Sequence, residues 1–261
     1  MATPSRILLT NDDGIDATGL EVLEACVRSI VPDADLWIIA PESEQSGTAQ
    51  SVTMHNPLRL RTLNERRFTV SGTPSDCMVL GLQHLMRDAR PDLVLSGVNA
   101  GMNAGYDVNL SGTLGAAFTG LMYGIPSMGI SLKRLTRQNT PWPTAHYVLP
   151  PLLSFFLEKG WPERQCLSVN IPAVPPEEIK GWRVTTPSTG RRPPFAIKQG
   201  VDLRDRDYFW VYPQHHDFHT PGEGTDIDAL LQNYVSITPL SLMRETDGAS
   251  CPLPPPLPKS R

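Results

Sequence analysis

Within its first 41 residues the chain sets out a strand, a helix and a second strand, and that order restricts the fold more than any other feature. "RILLT" (6–10) is a short apolar run stopped by "NDDG", the pattern of a strand buried on both faces. Leu20, Leu23, Val27 and Ile30 then recur at helical spacing until "VPD" ends the helix, and "ADLWIIAP" (34–41) is a second buried strand closed by Pro41. A strand, helix and strand in succession make a βαβ unit, which builds parallel sheets covered by helices. The alternation continues. "LRLRTL" and "RRFTVSG" read as exposed strands of a hairpin around Asn64, and 72–86 as a helix capped by Thr73 or Ser75, with Met78, Leu82 and Leu85 on one face. "PDLVLSG" (91–97) is a buried strand. The 111–124 stretch is a helix with the stripe Leu114, Ala117, Phe118, Leu121 and Met122. "IPSMGISL", 144–159 and "CLSVNIP" follow as strand, helix and strand.

The alternation predicts an α/β fold, a mostly parallel sheet flanked by helices, with its core in 1–172. From about residue 173 prolines become frequent, and "GWRVTTP" and "YFWVYP" read as antiparallel strands. "QHHDFHTPGEG" reads as a solvated loop, and "TDIDALLQNYVSITPL" as a short helix running into a strand. Residues 173–250 are therefore expected to form an appendage or oligomerisation element that returns to the core, and the proline-rich 251–261 a disordered, polyproline-like tail.

Composition narrows the function. A formal net charge of −4 argues against sequence-independent nucleic-acid binding, which needs a basic face. No apolar run approaches the roughly 20 residues of a membrane span. Cys26, Cys77, Cys166 and Cys251 form no CxxC pair and read as free thiols of a reducing compartment, and "MATPSRILLT" has no signal-peptide layout, so a cytoplasmic protein is expected.

Ligands of open α/β sheets bind beyond the carboxyl ends of the strands. Those ends carry "NDDG", "PESEQSG" and "SGVNAGMNAGYD". Asp12 and Asp13 could be a plain surface turn. They could also seat a hard divalent cation such as Mg2+ or Mn2+, which takes carboxylates with neutral oxygens, Gly14 letting the loop bend so that both converge. Ser46 and Asn99, each readable alone as a turn residue, would complete a sphere of two carboxylates, a hydroxyl and an amide oxygen. Ser111, Gly112 and Thr113 open a helix whose free N–H groups favour an anion, although a plain serine cap has the same sequence. His215, His216 and His219, the one histidine cluster, lie in the solvated loop and are not expected to hold zinc.

"LLTNDDGIDATGLEVL", "APESEQSG", "GTPSDC", "DLVLSGVNAGMNAGYDVNLSGTLGAA" and "NYVSITPL" together resemble the SurE family, the survival-protein-E 5′/3′-nucleotidases, in the family's order and over nearly the whole chain. By position, the resemblance implies one divalent cation per subunit on Asp12, Asp13, Ser46 and Asn99. It also implies phosphate contacts at Asn103, Ser111, Gly112 and Thr113, with Asn11 and Gly14 lining the site. The implied fold is a Rossmann-like core whose C-terminal hairpin is exchanged in a homodimer or homotetramer. The implied activity is metal-dependent hydrolysis of nucleoside monophosphates, with short polyphosphate a further substrate. Catalysis would rest on Asp12, Asp13 and Asn103. Ser43, Leu110 and Thr119 depart from residues common in the family. A receiver-like signalling domain is the alternative from another class, but it needs a phospho-accepting Asp where this chain has Ser96-Gly97. A phosphatase with an aspartyl-phosphate intermediate wants DxD, and a nucleotide-binding module without hydrolysis lacks a recognisable base pocket.

Overall fold

A computed structural model describes residues 4–136, 138–189, 195–213 and 222–243. In chain order the elements are β1 (Arg6–Thr10), α1 (Thr18–Ile30), β2 (Asp35–Pro41), β3 (Leu60–Asn64), β4 (Arg67–Val70), α2 (Pro74–Leu80) and β5 (Leu93–Ala100). They continue as α3 (Gly112–Met122), β6 (Ser127–Leu132), α4 (Trp142–Lys159), β7 (Gln165–Ile171), β8 (Trp182–Val184), β9 (Phe195–Val201), β10 (Asp207–Pro213), α5 (Asp226–Leu231) and β11 (Val235–Ser241). Nine strands form one sheet in the order β3-β4-β2-β1-β5-β6-β7-β11-β8, parallel except where β3 meets β4 and β7 meets β11. The fold is thus the α/β class that the alternation predicts.

Alternation along β1 sends Ile7 and Leu9 to one face and Leu8 to the other. Ile7 and Leu9 join a core with Leu20, Leu23 and Val27 of α1 and Val148, Leu149 and Leu152 of α4. Leu8 joins Ile39, Cys77 and Met78 of α2 and Ala116 of α3 on the opposite face. The crossover from β1 to β2 therefore runs over one face, through α1, and that from β5 to β6 over the other, through α3. Strand order reverses between β1 and β5, and the crevice beyond their carboxyl ends is where such sheets bind ligands.

Helix starts follow local chemistry. Thr73 caps α2 in a capping box with Asp76, and Pro74 occupies the first helical position, where its missing N–H costs nothing. Ser111 caps α3, its hydroxyl accepting from the Leu114 N–H at 3.1 Å.

Four expectations need correction. β4 is not exposed: Phe68, Thr69 and Val70 are buried because β4 lies between β2 and β3. β5 continues past Ser96-Gly97 to Ala100 through a register shift, so Asn99 stands in a strand rather than a loop. "GWRVTTP" contributes β8, which pairs parallel with β11 at the sheet edge and is not half of an antiparallel pair. The partner of β10 is β9 instead, in a separate two-stranded ribbon. Met122 of the α3 stripe is exposed. His215, His216, His219, Cys251 and the 251–261 tail lie outside the described residues. No helix among the described residues is long and apolar enough to cross a membrane.

Asp226 ties the last part of the chain to the β5–α3 loop. Buried at the start of α5, its carboxylate accepts from the backbone N–H groups of Gly105 at 2.7 Å, Ser188 at 2.9 Å and Ile227 at 2.8 Å. Asp226→Ala leaves three N–H groups without their acceptor, and urea unfolding should register a loss of about 2 kcal/mol.

Candidate functional site

The loop after β1 is fixed from within. The Asn11 amide brackets it, Nδ2 donating to the Gly14 carbonyl at 2.7 Å and Oδ1 accepting from the Gly14 N–H at 3.3 Å. Gly14 has φ +105, a left-handed conformation that side-chain-bearing residues rarely adopt. The turn aims the two acids at different neighbours. Asp12 Oδ1 accepts from the Thr113 hydroxyl at 2.6 Å, at the start of α3. Asp13 Oδ2 accepts from the Ala100 N–H at 3.0 Å, at the end of β5. The loop after β2 is stitched to the same place, since Gln45 N–H donates to the Asp12 carbonyl at 2.7 Å and Ala49 N–H to the Leu110 carbonyl at 3.0 Å.

The electrostatics of the two ends of the sheet differ. Beside the amino end of β1, burial pushes Asp35 up, but hydrogen bonds from Arg66 (2.7 Å), Trp37 (3.0 Å) and Arg6 (2.9 Å) outweigh it and hold the carboxyl at about 2. That pairing stabilises the fold above the unfolded carboxyl value of about 4, and the stability is lost as pH falls toward 2. Acid titration of the melting temperature should show this loss in the wild type and a shallower one in Asp35→Asn. At the carboxyl end no arginine or lysine of the described residues pairs with either acid within 4 Å. Burial pushes Asp12 up to about 6; the Thr113 hydroxyl opposes the rise and the charge of Asp13 adds to it. Burial raises Asp13 as well, opposed by the Ala100 N–H and the charge of Arg134 and assisted by Glu44.

The other expected site residues take varied positions. Asn99 is half-buried and donates Nδ2 to the Gly101 carbonyl at 2.8 Å, which turns its amide oxygen the opposite way. Ser46 is exposed, and its hydroxyl donates to Glu44 Oε1 at 2.7 Å. Asn103, implied as a phosphate contact, spends its amide N–H groups on Ser131 Oγ at 2.8 Å and Thr113 Oγ1 at 3.3 Å. Its backbone is clasped by the Asn170 amide, which accepts from the Asn103 N–H at 2.8 Å and donates to its carbonyl at 3.1 Å. Ser111, Gly112 and Thr113 do open α3, but the Thr113 hydroxyl already serves Asp12. A Cβ on Gly112 would come within 2.9 Å of Asp12 Cβ, so only glycine lets the carboxylate lie this close to the helix.

Sequence patterns therefore mark the loops that meet at this edge of the sheet but not the connections among them. Glu44, Ser131, Arg134 and Asn170 were missed. Ser131 and Arg134 lie at the carboxyl end of β6, where position alone is a signal. Thr113→Val removes the hydroxyl bond to Asp12, and outer-sphere losses of this kind typically cost roughly 10- to 100-fold in activity or metal affinity. Metal titration and steady-state kinetics on the variant measure it.

A family model described as Survival protein SurE matches residues 7–193. The 5′-nucleotidase SurE 1 of Burkholderia lata is 41% identical over 244 residues, covering 94% of this chain and 93% of the relative. The 5′-nucleotidase SurE of Caulobacter vibrioides is 43% identical over 240 residues, covering 91% and 90%. The crystal structure of a SurE protein from Aquifex aeolicus superposes with a TM-score of 0.77 at 35% identity, covering 92% of this chain and 94% of that one.

Proposed function

The chain belongs to the SurE family, and from that premise we propose that it is a metal-dependent phosphomonoesterase acting on nucleoside 5′-monophosphates, with 3′-monophosphates and short polyphosphate as further substrates. One observation carries the reading. Two adjacent carboxylates, Asp12 buried and Asp13 half-buried, stand at the switch point of the sheet with desolvation raising both, and no arginine or lysine of the described residues pairs with either within 4 Å, as Arg6 and Arg66 pair with Asp35. Such a pair is costly unless a cation compensates it.

The donor set is hard oxygen throughout and suits Mg2+ or Mn2+. Asp12 and Asp13, with the amide oxygen of Asn99 and the hydroxyl of Ser46, would hold one ion per subunit. For Ser46 this requires release from Glu44. When bound, the ion supplies charge neutralisation at the phosphoryl group and a more acidic water. The chain's own residues do the rest. The N–H groups of Gly112 and Thr113, at the positive end of α3, bind phosphoryl oxygens, the Ser111 N–H being taken by the Asp107 carbonyl at 3.0 Å. Asn103 fixes the Thr113 hydroxyl, which holds Asp12 in one orientation. One of the two aspartates orients the attacking water and takes its proton. Asn11 and Gly14 keep the loop closed around this arrangement.

The β9–β10 ribbon serves assembly in this reading. Phe209 and Trp210 are consecutive and point to opposite faces, yet both are exposed, as are Ile197 and Val211. An apolar ribbon uncovered on both faces marks an association surface, here with a second copy in a homodimer or homotetramer. Cys26, Cys77 and Cys166 are free and buried, as fits a reducing, cytoplasmic setting.

A phosphate-release panel of nucleoside monophosphates, run in EDTA and again with Mg2+ or Mn2+ restored, tests the function. Release that disappears with EDTA and returns with the metal is expected. Release undiminished by EDTA, or tight nucleotide binding with no release, contradicts it.

A further inference from the structure

Three carboxylates, those of Asp12, Asp13 and Glu44, belong to loops that meet at the candidate site. A phosphate monoester brings a dianion into that field. A single divalent ion offsets two of the protein's charges, so a further positive group is needed before the local field favours phosphate.

Arg134 is in position to be that group. It stands two residues beyond the end of β6, at the same sheet edge as the aspartates. Its side chain passes over Gly101, with Nε 3.9 Å from where a Cβ on that glycine would sit. Gly101 accepts the Asn99 amide, and the preceding Ala100 N–H holds Asp13, so the guanidinium lies on the stretch that orients two of the site's oxygens. Most telling, Arg134 Nε is buried and has no hydrogen-bond partner among the described residues. Buried polar groups are nearly always paired, and an unpaired one calls for an explanation. Arg6, Arg66 and Arg67, by contrast, all reach carboxylates at 2.7–2.9 Å.

We propose that Arg134 is the phosphate clamp of this site, its Nε–H and a terminal N–H donating to oxygens of the substrate's phosphoryl group and of the phosphate product. A guanidinium fork matches two phosphate oxygens in a way an ammonium does not. The inference rests on the phosphomonoesterase reading for its substrate, but it is tested separately from it. The rival role is that Arg134 steadies Asp13 and touches no ligand.

The test compares wild type, Arg134→Gln and Arg134→Lys. It measures kcat and KM for a nucleoside 5′-monophosphate, the inhibition constant of inorganic phosphate, and Mn2+ affinity by calorimetry. Losing charge-assisted hydrogen bonds to a phosphate should raise KM and the phosphate inhibition constant together by roughly 10- to 100-fold in Arg134→Gln. Arg134→Lys should fall between, and Mn2+ affinity should stay close to wild type. A fall in kcat or in Mn2+ affinity with the phosphate constant unchanged overturns the clamp and leaves Arg134 a positioning residue. If wild type releases no phosphate from nucleotides, the nucleotidase reading fails. The clamp is then decided by calorimetric binding of inorganic phosphate to the Mn2+-loaded proteins, where equal affinity in wild type and Arg134→Gln overturns it.

Discussion

Asp13→Asn should lower turnover of a nucleoside monophosphate by on the order of a thousandfold, the scale of losing a principal electrostatic group of a reaction centre, while leaving the fold intact. The two halves of that expectation have one cause. Burial raises the Asp13 carboxyl, so its ionised form is paid for by the folded protein at neutral pH. The asparagine keeps an oxygen for the Ala100 N–H, at 3.0 Å in the wild type, and removes the charge. Without added metal, the variant should therefore melt no lower than wild type. A group that costs stability and is retained for its charge is a functional group. Turnover near the wild-type rate with metal still bound contradicts the assignment.

Gly115→Ala should destabilise the protein by at least about 3 kcal/mol, an overpacking cost at the upper end of the usual range. The added Cβ would stand 1.9 Å from the Ala49 carbonyl oxygen, 2.6 Å from its carbon and 3.1 Å from Gln50 Cα. All three are backbone atoms and cannot rotate away, so α3 or the 48–50 segment must move. That segment follows the Ser46 loop, which is anchored on Asp12 and Leu110, so the damage should reach the site as well as the core. Gly222→Ala is the control: among the described residues its Cβ meets only Thr225 Cγ2 at 3.6 Å, an ordinary contact, and should change little. Equal urea midpoints for the two variants would show that α3 does not depend on this close approach.

Local periodicity made much of the architecture legible. The spacing of Leu20, Leu23 and Val27, the apolar runs of β1 and β2 and the Thr73 cap each depend on near neighbours in sequence, and each appears as expected. The acidic pair was legible because position at a strand end is a topological property. What stayed hidden depends on partners distant in the chain. The hydroxyl of Thr113 reaches Asp12 across 101 residues, and Asn170 clasps Asn103 across 67. No helix or strand pattern records such meetings. α3 was legible in most of its stripe, since Leu114, Ala117, Phe118 and Leu121 pack together, while Met122 at its end is exposed. Its closest approaches, Gly115 to Ala49 and Gly120 to Ser127, again depend on partners outside the helix. β9 escaped because the mixed "FAIKQGV" carries no clear alternation, and β8 was legible as a strand but not in its pairing, which depends on the distant β11. Arg134 escaped because an isolated arginine after a strand resembles ordinary surface charge until its buried, unpaired Nε is seen.

The claim on which the chemistry depends is that the acids behind β1 seat a divalent cation. Calorimetric titration of Mn2+ into the metal-free protein, with Asp13→Asn alongside, addresses it directly. One Mn2+ per chain in the wild type, with binding weakened by orders of magnitude in the variant, is the expected result. Equal stoichiometry and affinity in the two proteins, or no binding to the wild type, would contradict it.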